Sequence, residues 1–179
     1  VENINKILRK DVEFVGHHPM AGKEVYGVKN ATKEMFKGAN CIITPTSSST
    51  KEGIKTVKNL VELLEFENIV TLSPVEHDEM IGFLSQLTHC IAVSLMTSKD
   101  SMNLVKYTGD SFRDLTRIAK INENMWSELF LLNKEELLTQ MTEFEKEFQK
   151  LKNALQEEDI ETMKDMMRLS TTRRKYFDK

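Results

Sequence analysis

The sequence predicts a two-part fold. An α/β remnant over residues 1–73, the second half of an open and mostly parallel sheet, precedes an all-α helical dimerisation domain over 74–179. Three observations carry this expectation. Short β-branched runs alternate with helical patterning as far as Ser73. From "SPVE" onward the apolar residues recur only at helical spacing. Helix breakers are scarce, with 7 Gly and 3 Pro in 179 residues, which leaves little room for long irregular stretches.

In chain order, "VENINKILRK" reads as the tail of a helix and "VEFVG" (12–16) as a short apolar strand. "ANCIITP" (39–45) is a second strand, β-branched and stopped by its proline. In "SSSTKEGIKTVKNLVELLEFE", Ser49 and Glu52 form a capping box, and Ile54, Val57, Val61 and Leu64 follow on one helical face. "NIVTLS" (68–73) is the third strand. Three strands with one full crossover helix are too few for a doubly wound sheet, and no glycine-rich phosphate loop is present. The α/β part is therefore expected to be the second half of a domain whose first half lies upstream of Val1. Ser73, Pro74 and Glu76 then supply an N-cap, a proline at the first helical position and a capping carboxylate, starting a helix that should run to about Leu95. "SFRDLTRIAK" (111–120) is a shorter helix. Leu137, Met141, Phe144, Phe148, Leu151 and Leu155 recur at spacings of four and three, which suits packing along another helix, of this chain or of a second subunit. The basic tail "STTRRKYFDK" is expected to fray.

Bulk composition removes several classes of function. With 25 basic and 28 acidic residues the net charge is −3, giving no electrostatic case for nucleic acid or an anionic membrane. No apolar run approaches the ~18 residues of a membrane span, and no signal peptide precedes Val1, so the cytoplasm is the expected compartment. Cys41 and Cys90, far apart inside apolar runs, read as buried reduced thiols. His17, His18, His77 and His89 lack metal-ligand spacing, and no metal is expected.

The informative polar residues sit in three places. "GHHPMAGKEVYG" (16–27) spends two of the chain's four histidines at the expected C-terminal end of a strand, where open α/β sheets bind ligands. On the helix from Pro74, Asp78, Ser85 and His89 fall within about 20° of one line at 100° per residue, a polar stripe that is either a solvated edge or the wall of a site. Arg113, Asp114 and Arg117 follow on the next helix. Asp114 and Arg117 form either an ordinary surface pair or, through the guanidinium, a fork for a substrate carboxylate. Trp126, the single tryptophan, lies just beyond.

Three stretches together resemble the prephenate dehydrogenase family, which includes arogenate-using members. "GHHPMAGKEVYG" resembles its HPxAGxExxG signature, "SPVEHDEMIGFLSQLTHCIA" its SPxxHDxxxGxxSHLPHxxA helix, and "SFRDLTRIAKINENMW" its FxDxTRIAxxxPxMW segment. They occur in the expected order over residues 14–126. The resemblance implies a Rossmann-like nucleotide-binding half and a helical dimerisation half. It also implies oxidative decarboxylation of prephenate, with NAD (NADP not excluded), to 4-hydroxyphenylpyruvate for tyrosine synthesis. Carried over by position, His18 matches the catalytic histidine, suited by its pKa near 6.5 to take a hydroxyl proton. Arg117 matches the arginine that holds a substrate carboxylate. His89 and Ser85 match pocket residues, Glu24 and Asp114 gating carboxylates, and Trp126 a tryptophan that reaches the partner subunit's pocket. His77 and Asp78 match an HD pair of supporting role. The implied partners are prephenate or arogenate, a second copy of the chain and a tyrosine feedback inhibitor. Three departures from the pattern stand out. The Gly-rich fingerprint and the serine upstream of the HPxAG strand have no counterpart. Gln86 and Thr88 replace a histidine and a proline, and Glu123 or Asn124 stands where a proline is usual. A non-catalytic dimeric module that binds an aromatic amino acid is the competing expectation.

Overall fold

The computed structural model describes residues 1–22, 27–100 and 102–178, and it divides into two compact units, Val1–Ile81 and Gly82–Lys179.

The first unit is built around one buried strand. After the short helix α1 (Glu2–Ile7), strands β1 (Gly16–Met20), β2 (Asn40–Thr44) and β3 (Asn68–Thr71) form a sheet in the order β1-β2-β3. β2 is central, and its Cys41 and Ile43 are fully buried. Helix α2 (Lys51–Leu63) makes the crossover from β2 to the parallel β3. Its Val61 packs with Cys41 and Phe66, surrounded by Phe36, Ala39, Val57, Leu64 and Ile69. α2 ends where Glu65 turns left-handed at φ 61°, and the amide of Phe66 donates back to the carbonyl of Val61. This reversal places both apolar residues in the core.

The sheet corrects two sequence expectations. The first strand is the histidine motif itself, Gly16–Met20, whereas residues 12–15 lie outside regular structure. It also runs antiparallel to β2, with His18 opposite Ile42, so half of the strand pairing is not parallel. Pro19 lies within this strand. β1 is an edge strand, where a missing N–H is tolerated. The N-cap of α2 is Thr50, not Ser49. The Thr50 hydroxyl accepts from the amide of Gly53, while the Glu13 carboxylate accepts from the Thr50 amide and, at 2.8 Å, from its hydroxyl. A Cβ at Gly53 would collide with that carboxylate, so glycine there makes the approach possible.

Helix α3 (Pro74–Ile81) packs on β2 and completes the first unit. Its start is the expected capping box: the Ser73 amide donates to Glu76 at 2.7 Å, and the Glu76 amide to the Ser73 hydroxyl at 3.2 Å. The backbone continues without a break through a π-helical turn, Gly82–Leu87, into α4 (Thr88–Thr97). By length and composition this 24-residue stretch could cross a membrane, with a mean hydropathy of 1.4 over its best 18 residues, contrary to the expectation that no run is long enough.

The second unit is helical. α4 packs against α5 (Asp110–Thr116) and the tight 3-10 turn Arg117–Ala119 that follows it. α6 (Glu123–Leu132) is capped by Asn122, whose side chain accepts from the Met125 amide, and leads into the long α7 (Lys134–Gln156). α8 (Ile160–Arg174), capped by Asp159, packs back on α7. The tail expected to fray is helical through Arg174 and ends in a 3-10 turn, Lys175–Phe177. Leu87, Ala92, Leu137 and Ala154 are buried. Further along α7, Phe144, Phe148, Leu151 and Leu155 stay exposed, an apolar row at spacings of four, three and four.

Candidate functional site

The first unit brings two histidines together across 59 residues of sequence. Strand alternation turns His17 outward and sets His18 half-buried on the other face. Its Nδ1 lies 2.9 Å from Nε2 of His77 on α3, with ring centroids 5.2 Å apart. His77 Nδ1 lies in turn 2.8 Å from the Asp78 carboxylate. His18 therefore sits in mid-strand, the third of five residues in β1, and not at a strand's C-terminal end. Burial, and next the electrostatic influence of His77, hold its pKa below the ordinary 6.5. At neutral pH the ring is uncharged and basic, the state a proton acceptor requires.

The second unit assembles a separate cluster. Helical spacing puts His89 one turn beyond Ser85, and its Nδ1–H donates to the Ser85 carbonyl at 2.8 Å. That fixes the ring, which stacks on Trp126 of α6 with centroids 3.8 Å apart and planes 30° from parallel. The Phe130 ring lies 5.5 Å from that of Trp126, tilted by 55°. Gln86 is the element the sequence did not reveal. It is 4 % exposed, and its amide spans two helices, donating to the Leu129 carbonyl at 3.0 Å and accepting from Asn133 at 2.9 Å. This staple locks the π-helical turn to the end of α6, one turn from Trp126 in one direction and one from His89 in the other. The signal for it lay in the departure from the family pattern: a neutral amide can donate and accept at once.

Arg117 begins the turn that packs against α4 and is exposed there, and Asp114 is exposed on α5. The ion pair described on α5 joins Arg113 to Asp110 at 3.6 Å. Glu24 lies outside the described residues. The thiols are free and desolvation raises both pKa values, with Cys41 buried and Cys90 partly so.

A dinucleotide needs a cradle for its pyrophosphate, usually a glycine-rich loop opening onto a helix N-terminus. Two helices follow the parallel strands, and both N-termini are closed by carboxylates of the chain: Glu13 at α2 and Glu76 at α3. The described residues therefore do not fit the phosphates of such a cofactor.

Comparison with known proteins places this arrangement. The prephenate dehydrogenase from A. aeolicus, solved in complex with hydroxyphenyl propionate and NAD+, superposes with a TM-score of 0.83 at 34 % identity, covering 92 % of this chain and 59 % of that one. The Synechocystis arogenate dehydrogenase shares the fold, with a TM-score of 0.80 at 20 % identity over 92 % of this chain and 62 % of that one. An α/β unit followed in the chain by a helical unit is thus the architecture of a class of dehydrogenases. Residues 1–70 match the family model of the prephenate dehydrogenase nucleotide-binding domain and residues 73–169 that of its dimerization domain, so the chain belongs to the prephenate dehydrogenase family. The prephenate dehydrogenase of Bacillus subtilis (strain 168) is 33 % identical over 168 residues, 91 % of this chain and 45 % of that protein. The cyclohexadienyl dehydrogenase of Zymomonas mobilis is 28 % identical over 152 residues, 82 % of this chain and 52 % of that protein. The chain spans about half the length of these relatives.

Proposed function

We propose that the protein carrying this chain oxidises prephenate with NAD⁺, releasing CO₂ and leaving 4-hydroxyphenylpyruvate, as a cytoplasmic homodimer. The observation that carries the proposal is the neutral, half-buried His18 held by His77 and Asp78. Oxidation of the ring carbon that bears the hydroxyl breaks its C–H bond, whose hydride NAD⁺ would accept when bound, and its O–H bond, whose proton His18 takes. The carbon–carboxylate bond then breaks, the ring becomes aromatic, and the phenolate oxygen takes a proton back. Because the described residues hold no pyrophosphate cradle, the work assigned to this chain is proton transfer and substrate binding. Arg117 provides a permanently charged fork for a substrate carboxylate. Asp114 and Glu24 are assigned to gate access to that arginine. His89 and Ser85 line the pocket, with Trp126 reaching towards the partner's site, and the exposed apolar row of α7 supplies the dimer contact.

Prephenate is preferred over arogenate because of His89. Its Nδ1–H is committed to the Ser85 carbonyl and its ring lies on an indole face, which holds in place an imidazole able to carry a positive charge. A cation there suits a keto acid side chain and repels the ammonium of arogenate. The test is a steady-state assay of the protein with each substrate and each nicotinamide cofactor. Turnover of prephenate with NAD⁺ that falls by roughly 100-fold or more in His18→Asn is expected. Turnover of arogenate alone, or wild-type rates in His18→Asn, would overturn the assignment.

A further inference from the structure

The geometry points to His77 as a positioning residue that sets the tautomer of His18, with Asp78 fixing His77 in turn. This rests on the reading of His18 as the proton acceptor. A carboxylate only accepts, so the 2.8 Å contact between Asp78 and His77 Nδ1 requires the proton to be on that nitrogen. In the neutral ring Nε2 is then left with a lone pair. Nε2 faces His18 Nδ1 at 2.9 Å, so the hydrogen bond between the two rings exists only if His18 Nδ1 donates. Each constraint fixes the next, and the last atom in the series, His18 Nε2, keeps its lone pair for the substrate hydroxyl.

Free neutral imidazole side chains favour the opposite form, with the proton on Nε2, which would leave His18 nothing with which to accept a proton on that side. When the substrate O–H bond breaks, the new N–H bond forms at His18 Nε2. The ring becomes an imidazolium that still donates through Nδ1, and neither His77 nor Asp78 changes protonation. The other groups around His18 cannot do this. His17 is exposed on the opposite face of β1, and the cross-strand partner on β2 is Ile42. His77 is also well placed to hold its orientation, since its side chain is only 19 % exposed and is anchored by the Asp78 carboxylate at 2.8 Å.

The test reads tautomers directly. The chain, labelled with ¹⁵N-histidine, is measured by long-range ¹H–¹⁵N correlation at mildly alkaline pH, with its four histidines assigned by single substitutions. The expected wild-type result is Nδ1–H for both His18 and His77. His77→Phe, which removes the acceptor, should return His18 mainly to Nε2–H, whereas His77→Gln, whose carbonyl accepts from Nδ1–H, should retain the wild-type form. Nε2–H at His18 in the wild-type chain overturns the inference without any variant. So does an unchanged Nδ1–H in His77→Phe. In the protein assayed with prephenate, His77→Phe should lower kcat roughly 10-fold or more with KM little changed, and His77→Gln should recover most of the loss. An equal loss of kcat in both variants also counts against tautomer control. Absence of any prephenate turnover in the wild type would sink the functional reading while leaving the tautomer result standing on its own.

Discussion

Replacing Gln86 by Ala tests whether one buried amide sets both the stability of the helical unit and the geometry of its site. The side chain is 4 % exposed and makes two hydrogen bonds, to the Leu129 carbonyl and from the Asn133 amide. Truncation removes the bond that each partner makes to Gln86, at about 1–3 kcal/mol each where the site stays dry. Leu129 is 38 % exposed, so water reaches its surroundings and the low end applies. Adding about 1 kcal/mol for the vacated volume gives a loss of roughly 3 kcal/mol. For a chain of this size that lowers Tm by about 6–12 °C. Gln86→Leu refills the volume but not the hydrogen bonds, and should recover only the packing part. Circular dichroism gives Tm, and Trp126, as the single tryptophan, reports the site by its fluorescence. Its stacking on His89 should loosen, shifting the emission maximum. A fall in Tm below about 1 °C, or full recovery in Gln86→Leu, would refute the pairing as described.

Other expectations follow from particular residues. Glu158 closes α7 in the left-handed region at φ 55°, with the Asp159 amide donating to Ala154 at 2.8 Å. Glu158→Gly should raise stability by about 1 kcal/mol, read as a higher Tm, and a lower Tm would contradict this account of the turn. Phe148 is 61 % exposed and stacks on Phe144 at 6.2 Å. If this row is the dimer contact, Phe148→Asp removes an apolar contribution of about 1.5–3 kcal/mol from each subunit. The dimer should then dissociate at concentrations roughly 100-fold or more above those for the wild type, and an unchanged sedimentation profile would place the contact elsewhere. The folded-state pKa of His18 lies below 6.5, so between the two values the unfolded chain binds more protons and stability rises with pH. Stability should therefore be lost as pH falls from 6.5 through the folded value, and the slope should be shallower in His18→Gln. Identical slopes would show that His18 contributes nothing to the linkage.

What the sequence made legible was local. The capping box at Ser73 and Glu76 reads directly because both partners lie within one helical turn, and α2 and β2 show their periods in their own residues. The three motifs located His18, His89, Arg117 and Trp126 individually. What it hid was pairing over distance. The antiparallel direction of β1 depends on β2, more than twenty residues away in the chain. The cap of α2 moved from Ser49 to Thr50 because Glu13, 37 residues earlier, binds Thr50. The His18–His77 contact joins two motifs that were read separately, so His77 looked merely supporting. The polar stripe was drawn at 100° per residue, and the π-helical turn at Gly82–Leu87 breaks that period where Ser85 lies. Gln86, which replaces a histidine of the family pattern, bonds across to both Leu129 and Asn133.

The central claim is that this chain's own residues bind the substrate and take its proton. Calorimetric titration of the chain with 4-hydroxyphenylpyruvate, repeated with Arg117→Ala and His18→Ala, tests it most directly. The account predicts measurable binding that Arg117→Ala abolishes and His18→Ala weakens only modestly, since the histidine serves proton transfer more than affinity. Binding that is indifferent to Arg117→Ala would contradict it.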